Sequence, residues 1–230
     1  MTDLSVALQA VHTRICTAAC SVGRAPDSIQ LLAVSKTRPA ADIRAAYAAG
    51  QCAFGENYAQ ELLDKVLQLA DLPLEWHFIG PVQSNKTRGL AEHVHWVHSI
   101  DRLKTAERLS SQRPAHMPPL QVCIQVNVSG ETAKSGVLPD AVGVLARQIA
   151  ALPRLCLRGL MCIPEATSDT ERLRAQFQCL RGLIEGLREQ GLVLDTLSMG
   201  MSSDLAVAVT EGATLVRVGT AIFGERAAPV

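Results

Sequence analysis

A single lysine at the end of an apolar run carries the first chemical signal in this sequence. Lys36 ends the stretch LLAVSK, where a predicted strand gives way to a turn. A lysine at the wall of a pocket is partly desolvated, and the resulting neutral amine can condense with an aldehyde or ketone. The alternative is a lysine that leaves the sheet for solvent, and Lys36 alone does not decide between the two.

Two later segments carry groups that could bind an anion. MGMSSD supplies a glycine, two serine hydroxyls including Ser202 and the start of a helix, and RVGTAIFG supplies Gly219 and the Thr220 hydroxyl. Gly219 permits close backbone approach, and helix starts present N–H groups to phosphates. Each segment alone is also compatible with an ordinary turn. Together with Lys36, they predict a site for a phosphorylated carbonyl compound.

Arg217 lies inside the apolar stretch VRVG. Burying its charge without a partner is costly, so the guanidinium must face something polar. A structural salt bridge and a contact with a bound ligand are both consistent with this position.

The elements that must position these residues form a regular alternation of strands and helices. Eight alternating units in one chain predict a parallel sheet that closes into a (β/α)8 barrel, with an open doubly wound sheet as the alternative. A leading helix within residues 1–23 precedes a barrel over 29–226, all in one domain of 230 residues, and we expect this helix to cover the barrel bottom. The predicted strands are 29–34, 52–54, 75–79, 95–99, 121–126, 155–162, 196–199 and 215–218.

Composition excludes several other classes of function. The chain has 22 basic and 22 acidic residues and no basic stripe, which argues against nucleic-acid binding. The seven cysteines have scattered spacings and no CxxC pair, so we expect a protein of the reducing cytoplasm. No apolar run is long enough for a membrane span, and no signal peptide is evident. His93, His95 and His98 do not have the spacing of a zinc site, and we predict no metal.

Six motifs in order along the chain resemble one family. AVSKTRP, FGENYAQE, WHFIGPVQSNK, KSG, LSMGMSSD and VRVGTAIFGER are similar to those of the pyridoxal phosphate homeostasis proteins. These are single-domain α/β barrels of the alanine racemase, or fold-type III, kind. The resemblance runs from about residue 30 to 226, and it implies pyridoxal 5′-phosphate (PLP) as the cofactor.

The resemblance also implies roles for individual residues. Lys36 matches the lysine that forms the Schiff base with PLP, Asn57 a residue that lines the cofactor face, and Arg217 the arginine at the pyridine nitrogen. The phosphate-binding positions are matched by Met199, Ser202, Gly219 and Thr220.

Other matched positions carry less definite roles. Lys134 in AKSG matches a lysine near the cofactor mouth, whereas His77, Asn85 and Lys86 belong to a motif whose role the resemblance does not specify. Arg38 stands where relatives often have lysine, which puts any secondary capture of the aldehyde at that position in doubt.

The predicted site favours carriage of PLP over catalysis. Arg217 can only donate a hydrogen bond, so the ring nitrogen would stay unprotonated and draw electrons weakly. Racemases with this arrangement add a strong second base, and the only stand-in here is Tyr58, which is more simply a packing residue. We therefore predict a PLP carrier or buffer, with apo-PLP enzymes as recipients and a monomeric state. The alternatives are an amino-acid racemase of the same fold, a Schiff-base aldolase without PLP, and a scaffold with a vestigial site.

Overall fold

Eight parallel strands form a closed barrel in the order in which they occur in the chain. The computed structural model describes residues 4–131 and 134–225. All eight predicted strands are present, which confirms the barrel over the open sheet. The strands are β1 (Gln30–Val34), β2 (Ala53–Glu56), β3 (Glu75–Phe78), β4 (Trp96–Ile100), β5 (Leu120–Val126), β6 (Leu155–Cys162), β7 (Thr196–Ser198) and β8 (Leu215–Val218).

Helices follow the strands and cover the outside of the barrel. Local signals set several of their starts: Pro139 occupies the first turn of one helix, and the Asp169 side chain accepts hydrogen bonds from the Glu171 and Arg172 amides at the start of another. The helices are α1 (Leu4–Cys20), α2 (Ala40–Ala48), α3 (Ala59–Gln68), α4 (Thr87–His93), α5 (Leu103–Gln112), α6 (Pro139–Ala150), α7 (Thr170–Glu189), α8 (Leu205–Thr210) and α9 (Thr220–Phe223).

The leading helix α1 does not cover the barrel bottom as expected. It packs along the side of the barrel against α2, α8 and α9, and Leu8, Val11 and Ile15 are buried there. The helix that follows β8 has only one turn, so α9 by itself would leave apolar surface near β8 and β1 uncovered. Burial of that surface by α1 explains why the helix lies on the side wall.

The main apolar core lies between the strands and the helices. Inside the barrel the apolar contacts are fewer, and they form two small clusters, one around Leu32 and one around Trp96. Buried polar side chains fill much of the remaining interior, including His77, His98 and Arg217. Within the described part of the chain, no helix is both long and apolar enough to cross a membrane.

Candidate functional site

A cavity of about 390 Å³ opens at the carboxyl end of the barrel strands. Active sites of α/β barrels lie at this end. Six of the seven residues predicted for the site line this cavity together. They are Lys36, Asn57, Ser202, Arg217, Gly219 and Thr220.

The seventh predicted residue, Met199, lies elsewhere. Its side chain is completely buried in the core beneath the loop that follows β7. Met201, two residues further on, lines the cavity instead. Gly200 between them has a φ of +95°, and a Cβ atom there would approach the Ala208 side chain to 2.5 Å. This turn explains why the two methionines face different surroundings.

A buried ionic cluster fixes the backbone on both sides of Lys36. The Lys65 ammonium on α3 donates to the Ser35 carbonyl at 2.7 Å and to carboxylate oxygens of Glu56 and Glu61, each at 2.6 Å. Glu61 also accepts the Thr37 backbone N–H at 2.6 Å. Thr37 has a φ of 63°, a left-handed conformation that is uncommon for a residue other than glycine. The cluster thus stabilises an unusual turn directly after Lys36.

Glu56 is the most deeply buried acid of this cluster. One carboxylate oxygen accepts from Lys65 and from the Ser35 hydroxyl, while Oε2 is buried without a hydrogen bond from the described residues. Burial raises the pKa of Glu56, although the Lys65 charge opposes this shift. The sequence analysis missed the cluster. The Glu61 and Lys65 pair on one helix face and a glutamate ending an apolar strand were the available signals.

The loops after β7 and β8 meet beside Lys36. The Ala221 backbone N–H lies 3.5 Å from the Ser202 hydroxyl, which links the two loops. A Cβ atom on Gly219 would lie 3.1 Å from the Val34 carbonyl oxygen, so a larger residue would crowd β1. From α1, Arg14 donates to the Ser202 carbonyl at 2.7 Å. The leading helix therefore supports the loop that carries the predicted phosphate-binding hydroxyl.

Arg217 lies at the floor of the cavity and is almost completely buried. Its guanidinium donates to the carbonyls of Ser198 and Cys162, at 2.6 and 2.8 Å, and to the Ser198 hydroxyl at 2.8 Å. Burial lowers the pKa of Arg217, but a guanidinium stays charged in proteins. The guanidinium is therefore a fixed hydrogen-bond donor at the floor of the cavity.

Asn57 lies where three cavities meet at the barrel mouth. A Cβ atom on Gly80 would come within 2.0 Å of the Asn57 carbonyl oxygen, so only glycine permits this approach of the two loops. Lys134 lines the smallest of the three cavities, of about 190 Å³, and pairs with Glu131 at 2.9 Å. The location of Lys134 agrees with the expected lysine near the mouth.

Residues of less definite role occupy varied places. Tyr58 is 55% exposed and lines a cavity with Lys86, rather than the one that contains Lys36. Asn85 is exposed. Arg38 donates to the carbonyls of Gly224 and Glu225, at 2.6 and 2.7 Å. Among residues 4–131 and 134–225, no group of three or more His, Cys, Asp or Glu side chains could hold a metal ion.

Comparison with known proteins agrees with this geometry. The family model for the alanine racemase N-terminal domain matches residues 8–227. Alanine racemase of Corynebacterium glutamicum shares the fold, with a TM-score of 0.65 at 18% identity, over 94% of this chain and 61% of that chain. The barrel and its cavity thus define the class as an alanine racemase-type barrel.

Closer relatives specify the family. The pyridoxal phosphate homeostasis proteins of Pseudomonas aeruginosa and Escherichia coli are 58% and 50% identical, each over 98% of this chain and 97% and 98% of the relative. PipY of Synechococcus elongatus, solved with PLP bound, has a TM-score of 0.81 at 42% identity, covering 91% of this chain and all of PipY. The chain belongs to the family of pyridoxal phosphate homeostasis proteins.

Proposed function

We propose that this protein binds PLP reversibly on Lys36 and serves as an intracellular carrier or buffer of the cofactor. The observation that carries the proposal is the convergence of Lys36, Arg217 and the two hydroxyl-bearing loops on one cavity. Its volume of about 390 Å³ lies within the range of small-molecule sites, about 300–1,000 Å³. The names of its relatives and the PLP-bound PipY support the same ligand.

Each wall of the cavity suits one part of PLP. The Lys36 amine would hold the aldehyde carbon as a Schiff base, with release of one water molecule. Ser202, Gly219 and Thr220 would hold the phosphate through hydroxyl and backbone N–H donors. Met199 would support the phosphate loop from beneath, and Asn57 would line the face of the ring.

Arg217 would donate a hydrogen bond to the pyridine nitrogen. Bound PLP supplies an electron sink for amino-acid chemistry, and this sink is strongest when the nitrogen is protonated. A guanidinium has no acceptor and leaves the nitrogen unprotonated. Among the described residues that line the cavity, Lys36 and Arg217 are the ionisable ones, and the lining includes neither Tyr58 nor a carboxylate. This supports carriage over racemisation.

Free PLP is a reactive aldehyde, which gives a carrier a physical purpose. Reversible attachment to Lys36 would limit unwanted Schiff bases with other amines, and release would supply apo-PLP enzymes. We further propose that the protein works in the cytoplasm, as a monomer and as a single domain.

The covalent attachment is tested by spectroscopy and mapping. We expect added PLP to give the wild-type protein a visible absorption band that Lys36→Ala abolishes and that the exposed control Lys104→Ala retains. Borohydride reduction followed by peptide mapping should place the adduct on Lys36. A colourless wild-type protein, or an adduct spread over surface lysines, would overturn the proposal.

The carrier role needs a separate measurement. An apo-PLP enzyme on the far side of a dialysis membrane should be reactivated at a different rate when this protein supplies the PLP than when the same amount of free PLP does. Lys36→Ala should remove that difference. Unchanged rates would argue against transfer. Incorporation of solvent deuterium at the Cα of an amino acid, at the rate of a dedicated enzyme, would instead establish the racemase.

A further inference from the structure

A line of buried polar side chains crosses the interior of the barrel below the cavity. It runs from Arg217 on β8 to Ser198 on β7, then to His98 on β4 and His77 on β3, and it ends at Glu75, a partly exposed residue at the first position of β3. The Ser198 hydroxyl lies 2.8 Å from His98 Nδ1, and His98 Nε2 lies 2.9 Å from His77 Nδ1. Because β4 and β7 are not neighbours in the barrel, the Ser198–His98 contact must pass through its interior.

The far end of the line is a carboxylate that is held in place. Glu75 Oε1 faces His77 Nε2 at 3.5 Å, an electrostatic contact longer than a normal hydrogen bond. The same oxygen accepts from Trp96 Nε1 at 2.7 Å, and the other oxygen accepts from Gln30 at 3.2 Å. The Trp96 ring also stacks on His77, with centroids 5.4 Å apart and an angle of 7° between the planes.

The two ends of the line determine the direction of every hydrogen bond in it. Arg217 can only donate, and the ionised Glu75 can only accept. Burial lowers the pKa of both His77 and His98, so each ring is neutral and carries one N–H. The consistent arrangement has Ser198 donating to His98 Nδ1, His98 Nε2 donating to His77 Nδ1, and His77 Nε2–H facing Glu75. The reverse order would point a nitrogen lone pair at the carboxylate.

This direction matters for Arg217. Because the Ser198 hydroxyl proton is engaged by His98, the oxygen of Ser198 offers its lone pairs to the guanidinium. Among the described residues, Arg217 has no carboxylate within ion-pair distance, and its hydrogen bonds go to two carbonyls and this hydroxyl. The buried Asp204 carboxylate acts on the guanidinium electrostatically from a longer distance. The line therefore provides Arg217 with an oriented hydrogen-bond acceptor that is itself uncharged.

We propose that Ser198, His98 and His77 form a directional hydrogen-bond relay, anchored by Glu75, that positions the Arg217 guanidinium at the cavity floor. This assigns a role to the histidine of the HFIG motif, which the sequence analysis left without one. The statement that the positioned guanidinium serves PLP rests on the proposed function, whereas the relay itself does not.

The tautomers of the two histidines provide the direct test. In protein labelled with ¹⁵N-histidine and free of PLP, long-range ¹⁵N–¹H spectra at neutral pH should show both rings neutral, with the proton on Nε2. His77→Asn and His98→Asn assign the signals. A proton on Nδ1 of either ring, or a charged imidazolium, would overturn the relay.

A second measurement tests positioning of the arginine. Ser198→Ala should shift the Nη1 signal of Arg217, because Nη1 loses its hydroxyl acceptor while the two carbonyl acceptors remain, and it should weaken PLP binding about tenfold. Ser198→Thr, which keeps the hydroxyl, should recover most of both effects, and His93→Gln outside the relay should change neither. Unchanged guanidinium signals in Ser198→Ala would refute positioning. If the wild type binds no PLP, the proposed function fails, but the two spectra still decide the relay.

Discussion

Lys36 and Arg217 line one cavity, yet the protein holds the two basic residues by different means. The turn around Lys36 is fixed by a compact ionic cluster, in which Lys65 contacts both Glu56 and Glu61 at 2.6 Å. The hydrogen-bond acceptors of Arg217 are all neutral, and Asp204 acts on its charge only electrostatically. The carboxylate that ends its hydrogen-bonded line, Glu75, lies at the other end of the barrel interior.

The location of each support explains this difference. The cluster lies between strand ends and α3, where Glu61 retains contact with solvent, with 25% of its side chain exposed. The line under Arg217 lies within the barrel, where an unpaired charge would be strongly destabilising. Neutral histidines transmit an orientation there without such a charge. The comparison indicates that opposite charges fix the rim of this barrel, whereas aligned hydrogen bonds order its interior.

The largest expected effect comes from breaking the ionic cluster. Lys65→Met removes the cation that faces the completely buried Glu56, and removal of one partner from a buried ion pair typically destabilises a protein by about 3 to 5 kcal/mol. We expect a loss of that size in the free energy of unfolding, measured with urea, together with weaker attachment of PLP to Lys36.

Matched variants make this prediction specific. Lys104→Met on the exposed face of α5 should stay within about 0.5 kcal/mol of the wild type. Adding Glu56→Gln to Lys65→Met should restore part of the stability, because the buried carboxylate is then uncharged. A Lys65→Met protein as stable as the wild type would contradict the contribution assigned to the cluster.

An intermediate effect is expected at the far end of the line under Arg217. Contacts with His77 and then with Trp96 lower the pKa of Glu75 from its usual value near 4.5 to about 2. Because the pKa is lower in the folded state, Glu75 stabilises the fold above pH 4.5, and this contribution disappears as the pH falls towards about 2. Glu75→Gln should therefore cost about 1 kcal/mol at neutral pH, a value reduced because the carboxylate is one-third exposed.

Urea unfolding over a pH series measures this contribution. The difference between wild type and Glu75→Gln should shrink between pH 4.5 and about pH 2, the interval between the two pKa values. Glu92→Gln, which alters an exposed pair with Arg88, should show little dependence on pH. A difference for Glu75→Gln that stays constant, or grows in acid, would contradict the assignment.

The barrel was predictable from sequence because apolar runs and turns repeat eight times, and the strand ends then indicated Lys36, Ser202 and Thr220. The groups that hold Lys36 and Arg217 in place were not predictable in the same way. Lys65 resembles an ordinary surface lysine on an amphipathic helix, and its role depends on the position of α3 relative to β2. His77 and His98 lie in different strands, so their contact depends on the register of the barrel. The prediction that α1 covers the barrel bottom was wrong, because the sequence analysis did not recognise that α9 has only one turn.

The smallest expected effect tests a support from outside the barrel. Arg14 on α1 is exposed, and it is connected to the site by the 2.7 Å hydrogen bond to the Ser202 carbonyl. Arg14→Ala should weaken PLP binding about two- to threefold, because the predicted phosphate loop loses one tether, while unfolding free energy changes by less than about 0.5 kcal/mol. His12→Ala, exposed on the same helix, should leave both unchanged. Equal loss of PLP affinity in the two variants would show that α1 acts on the site through general packing rather than through this hydrogen bond.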